Sequence, residues 1–156
     1  MQFILGFIVG VIFLGLLIWK IMPKMMIMTR KSSLNFEDTV EFVQKEAKSI
    51  GWNVPKVYNM KESFEKAGAK DVEKMQVVSL GHAKHAYAIV KNDQDKNILA
   101  MMPYRLGVYE DKKGEVYFTG ANMGIMSKMF GGNIDKVMGA SAKELEKVFD
   151  KIAEDL

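Results

Sequence analysis

Between Phe3 and Trp19 no position is charged, and only glycines interrupt the bulky apolar side chains. With Gln2 and the following Lys20-Ile21-Met22 the stretch reaches about 20 residues, enough for a helix to cross a ~30 Å hydrocarbon layer. Trp19 and Lys20 fall where an indole and a snorkelling amine both stay hydrated at the headgroup boundary. Pro23 lacks an N–H and its ring crowds the preceding turn, so the helix is expected to stop there. A cleaved signal peptide would carry a basic residue ahead of a shorter apolar core and a small-x-small site behind it. The sequence has neither, and an uncleaved anchor fits it better. Gly6-x-x-x-Gly10 matches the small-residue spacing that lets two membrane helices approach closely.

Beyond the apolar stretch the pattern changes. Met25 to Arg30 is a first candidate strand. Asn35 can cap a helix in which Phe36, Val40, Val43, Ala47 and Ile50 share one face, with Glu37 and Asp38 in the first turn and Gly51 at the end. Val57-Tyr58 reads as a short strand, Lys61 to Ala67 as a short helix stopped by Gly68, and Val72 to Leu80 as a strand. His82 to Lys91 follows as a helix with Ala83, Ala86, Tyr87 and Val90 facing inward. Tyr104 to Glu110 and Glu115 to Thr119 are strands joined by Asp111-Lys112-Lys113-Gly114, a hairpin linker with Gly where a left-handed residue is needed. Met123, Met126, Met129 and Phe130 recur at helical spacing before Gly131-Gly132. Ser141-Ala142-Lys143-Glu144 reads as a capping box opening a last helix with Leu145, Val148, Phe149 and Ile152 as its stripe. The prediction is an α+β domain over residues 25–156, an antiparallel sheet packed by helices, behind a transmembrane anchor and juxtamembrane segment over residues 1–24.

The net charge of +3 hides an asymmetry. Lys20, Lys24, Arg30 and Lys31 crowd the end of the apolar stretch, which leaves 18 of the 22 basic residues against 19 acidic ones from Ser32 onward. The domain is therefore nearly neutral. Without a dense basic patch to neutralise phosphates, nucleic acid is not an expected partner. Positive charge behind the helix places the domain on the cytoplasmic side of a membrane, with a periplasmic or extracellular position as the alternative. The chain has no cysteine, which removes disulfides, thiolate metal sites and thiol nucleophiles together.

Candidate chemistry is sparse. No G-x-S-x-G or glycine-rich phosphate loop is present, and Gly131-Gly132 follows a helix rather than opening one. His82-Ala-Lys-His85 puts two imidazoles on one helix face, where they can share a metal or offer a ligand to a haem. Methionines add soft donors for copper or an axial haem ligand, and Met123, Met126 and Met129 are the candidates, although a methionine stripe also fills cores. Arg105 is expected to form a structural pair.

Several separated stretches together carry a resemblance. Met101-Met102-Pro103-Tyr104-Arg105-Leu106-Gly107-Val108-Tyr109-Glu110, then Gly114-Glu115-Val116-Tyr117, Asn122-Met123 and Met129-Phe130-Gly131-Gly132 are similar to the DUF302 family. The likeness is greatest to members with an N-terminal membrane helix, and it extends from the apolar start through Gly51-Trp52 to Val137-Met138-Gly139. It implies a compact α+β domain, often dimeric, and implies no activity. The resemblance also implies Cys near the positions of Gly81 and Tyr104 in membrane-anchored members, and a disulfide or redox role of such thiols could not be shared by this chain. The family's H-A-Y histidine corresponds to His85, and His82 is a candidate replacement for a lost Cys ligand. Three functions remain open: a tethered, dimeric domain binding a ligand or a partner protein; a haem or metal protein using His82, His85 and a Met; and an enzyme with carboxylates or Arg105 in a cleft.

Overall fold

The computed structural model describes residues 2–154; Met1, at the start of the expected anchor, and residues 155–156, at the end of the expected domain, lie outside it. Helix α1 covers Gln2–Met26, and its Gly6–Met26 portion is long and apolar enough to cross a membrane, with none of it buried against the rest of the chain. The helix does not end at Pro23 as expected. It continues for three residues, since the fixed φ of proline is itself helical and only one backbone hydrogen bond is forfeited.

Strand β1 (Ile27–Lys31) follows α1 without a loop, then α2 (Phe36–Ser49), β2 (Val57–Asn59) and α3 (Met60–Lys66). Next come β3 (Met75–Leu80), α4 (Ala83–Val90) and a 3₁₀ segment, Asp93–Met101, that hydrophobic periodicity did not predict. The chain closes with β4 (Tyr104–Glu110), β5 (Val116–Ala121), α5 (Met123–Phe130) and α6 (Gly132–Phe149). The five strands form one antiparallel sheet in the order β1-β5-β4-β3-β2. The architecture is the predicted α+β one.

Local chemistry explains the boundaries. The Asn35 side chain accepts the Asp38 N–H at 2.9 Å and opens α2. Gly51, at φ +86°, ends the turn behind it. In the β4–β5 hairpin Gly114 takes φ +80°, and Asp111 Oδ1 accepts the N–H groups of Lys113 and Glu115.

Two cores result. In the larger one Val78, Leu80, Leu106, Val108, Val116 and Phe118 alternate inward from β3, β4 and β5 onto α2 and the C-terminal half of α6. Each such side chain, once fully buried, contributes about 1.5–3 kcal/mol. The smaller core joins Ile89 of α4, Ile98 of the 3₁₀ segment, and Ile134 and Met138 of α6. Helix α6 thus serves both. It starts nine residues before the expected capping box, because Ile134, Met138, Ser141, Leu145 and Val148 form one unbroken buried stripe; Gly131-Gly132, expected only to end a helix, thus ends α5 and opens α6 as well. Helix α4 is also rotated from expectation: Tyr87 is 69% exposed, whereas Ile89 is buried facing α6. Ile50, expected inward, is exposed.

Candidate binding site

The junction of the two cores brings together two histidines, a serine, a glutamate and a tryptophan. Asn53 and Gly81 exchange backbone hydrogen bonds of 2.7 and 2.9 Å, which fixes the segment leaving α2 beside the one leaving β3. Trp52 and His82, the adjacent residues, are thereby brought together. His82 is the N-cap of α4, its Nδ1 accepting the His85 N–H at 3.4 Å. One turn on, His85 stacks against it, with ring centroids 3.8 Å apart and planes 16° from parallel. Trp52 presents its ring edgewise to both imidazoles.

Helix α6 completes the cluster. Ser141 Oγ lies 2.8 Å from His85 Nδ1, and Glu144 Oε1 lies 3.6 Å from His85 Nε2. The other Glu144 oxygen accepts the Trp52 Nε1–H at 3.0 Å. His85 is therefore held by a hydrogen bond at Nδ1 and faces a carboxylate at Nε2. Ser141 and Glu144 are the pair read above as a capping box; their i, i+3 spacing places them on one helix face in either case. Burial, reinforced by the neighbouring His85, pushes the His82 imidazole below its usual range, which keeps that ring neutral near pH 7.

Trp52, His82, His85 and Ser141 border a cavity of about 630 Å³ whose wall is mostly apolar, with Glu144 outside the lining. Binding pockets for small molecules typically run from roughly 300 to 1,000 Å³ and combine an apolar wall with a few polar groups. His82, His85, Met123 and Met126 all line it, so four of the five residues singled out from the sequence meet in one place. Met129 does not: it points outward near the end of α5 and is 58% exposed. Trp52, Ser141 and Glu144 were missed. Arg105, expected in a structural pair or else facing a cleft, is exposed, makes no ion pair among the described residues and lies on the wall of the cavity.

The sequence profile of the family described as "Domain of unknown function DUF302" matches residues 28–155. The chain belongs to the DUF302 family. The crystal structure of an uncharacterized conserved DUF302 protein from Bacillus stearothermophilus is similar in fold, with a TM-score of 0.71. That likeness covers 81% of this chain and 97% of the other, at 16% identity. No curated protein matches the chain.

Within this DUF302 domain Gly81 and Tyr104, the two positions near which the family resemblance implies cysteines in other members, both border the cavity. They are close in the sheet, since Tyr104 is the cross-strand partner of Leu80. The Tyr104 ring lies over Gly120, where an added Cβ would overlap the hydroxyl and stand 2.9 Å from Cζ. Burial raises the Tyr104 phenol well above its usual range, so its hydroxyl stays protonated. Gly120 is thus the residue that lets a tyrosine occupy position 104.

Proposed function

We propose that this chain is a membrane-tethered binding domain that holds one small, largely apolar molecule with a polar head. The reading rests on one observation above all: a largely apolar cavity of about 630 Å³ has His82, His85 and Ser141 as a contiguous polar patch of its wall. Apolar surface supplies the driving force for a ligand, while the patch orients its head. No group in the cluster needs to act as a nucleophile for this purpose. The tether is α1, whose apolar length suits a bilayer. The four basic residues behind the apolar stretch favour a cytoplasmic domain. Alkaline phosphatase fused behind the C-terminus should then be inactive, and an active fusion would reverse the sidedness.

The direct test uses full-length protein in mild detergent and a dansyl-labelled fatty acid as probe. Saturable one-to-one binding is expected, lost in Met126→Trp, where the larger ring fills the cavity while the far-ultraviolet circular dichroism is retained. Absence of saturable binding, or binding indifferent to that substitution, argues against the reading.

A second reading has its own support, because His82, His85, Met123 and Met126 share the cavity. In it the domain carries haem or copper, with an imidazole and a thioether as ligands. A Soret band on haem addition, or stoichiometric copper lost in His85→Ala, would favour this reading over the first.

A further inference from the structure

We infer that His82, His85 and Glu144 form a site for one divalent first-row cation of the zinc or ferrous-iron kind, with an open coordination position facing the cavity. One donor atom from each residue falls within 4.8 Å of the other two. His85 Nε2 and Glu144 Oε1 face each other across 3.6 Å. Two ligands at ~2.0–2.2 Å on a tetrahedral ion stand roughly 3.3–3.5 Å apart, so this pair needs only a few tenths of an ångström of adjustment.

The surroundings of the pair support a ligand role. Metal-bound histidines almost always donate their second ring N–H to a fixed acceptor, and bound carboxylates are themselves hydrogen-bonded. Ser141 Oγ, 2.8 Å from His85 Nδ1, is placed to accept that proton and so leave Nε2 with a free lone pair. Trp52 Nε1–H holds the Glu144 oxygen that does not face His85. An ordinary imidazole–carboxylate pair requires neither arrangement.

His82 is the movable member. Lone pairs lie in the ring plane, so two imidazoles only 16° from parallel cannot both aim at one ion as they stand. His82 must swing out of the stack. Its capping bond to the His85 N–H is long, at 3.4 Å, and beside it Gly51 presents no side chain: even a Cβ there would be at ordinary contact distance, 3.6 Å from Nε2. Two nitrogens and one carboxylate oxygen suit zinc or ferrous iron better than Cu(I), which prefers thioethers, so at this site the methionines are wall and not ligands. Three protein ligands leave a fourth position for water or for the head of a cavity-bound molecule.

The test is a titration of EDTA-stripped, full-length protein, free of any histidine tag, with Co²⁺ and then Zn²⁺. One equivalent of Co²⁺ should give visible d–d bands of a four- or five-coordinate ion, displaced by Zn²⁺. The bands should vanish in His85→Ala and Glu144→Gln, each checked for wild-type circular dichroism, with His85→Gln as substitute where the alanine variant does not fold. Ser141→Ala should weaken cobalt about 10–100-fold with the band position unchanged, as expected when an orienting partner is removed. Met123→Leu should change nothing. Absence of a stoichiometric band, or a band that survives both His85→Ala and Glu144→Gln, overturns the site. Fatty-acid binding is measured on the metal-stripped protein, so the cavity reading and the metal site can fail separately.

Discussion

Trp52 is 5% exposed and spends its one polar atom on the half-exposed Glu144, across 92 residues of chain. Trp52→Phe keeps most of the packing and removes that hydrogen bond. Bonds to charged groups are worth about 1.5–3 kcal/mol when sheltered, and solvent around Glu144 reduces the loss here to about 1 kcal/mol. A lower urea midpoint with unchanged slope is the expected result, and an unchanged midpoint would mean that the bond adds no stability. At this scale only the local part of the site was legible in the chain. His82 and His85 stand three residues apart, and Met123 and Met126 likewise, so helical spacing pairs each couple directly. Trp52, Ser141 and Glu144 join them only through tertiary packing, and nothing near each in the chain marks it as a partner. Met129 followed the same spacing as its neighbours, yet it falls near the end of α5, where the helix face turns away from the cavity.

Helix α6 illustrates how an element can be misread from a correct local rule. Ser-x-x-Glu does open many helices, but here the buried stripe from Ile134 to Leu145 runs straight through Ser141 without a phase change. Following that stripe upstream would have found the true start, and with it the inward direction of Ser141. Gly139 distinguishes the two descriptions. It lies inside α6, and an added Cβ would meet nothing nearer than 3.8 Å. Gly139→Ala is therefore expected to stabilise the protein by about 0.5–1 kcal/mol in urea unfolding; a helix starting at Ser141 predicts no such gain. The β1–β5 pair makes a separate prediction. The Tyr117 hydroxyl, with Lys31 beside it, holds the Glu115 carboxyl below the usual carboxylate range. A depressed folded-state pKa means stability that is present above the unfolded value, near 4.5, and lost as pH falls through the folded one. The difference in melting temperature between the wild type and Glu115→Gln should thus be small but measurable near pH 6, and should close at lower pH; a difference that persists in acid would assign it to something other than charge.

The fold class and the β4–β5 hairpin were legible because alternation, a turn glycine and capped amphipathic helices are local signals. Strand order was not, since β1 pairs with β5 about 90 residues later in the chain, and no local pattern specifies that partner. That long-range pairing also bears on α1. Strand β1 begins at the residue after α1 ends, so a bilayer around α1 would lie next to one edge of the sheet. Yet α1 is not needed to complete the architecture: the Bacillus stearothermophilus DUF302 structure is 97% covered by 81% of this chain, and the family match begins only at residue 28. Deleting residues 1–24 should therefore leave β1 and both cores intact and give a soluble domain that unfolds in one cooperative transition. The full-length chain should instead stay with membranes through an alkaline carbonate wash. Recovery of the full chain in the wash would remove the tether. A truncated chain that aggregates would mean that α1 supports the edge of the sheet in addition to any anchoring role.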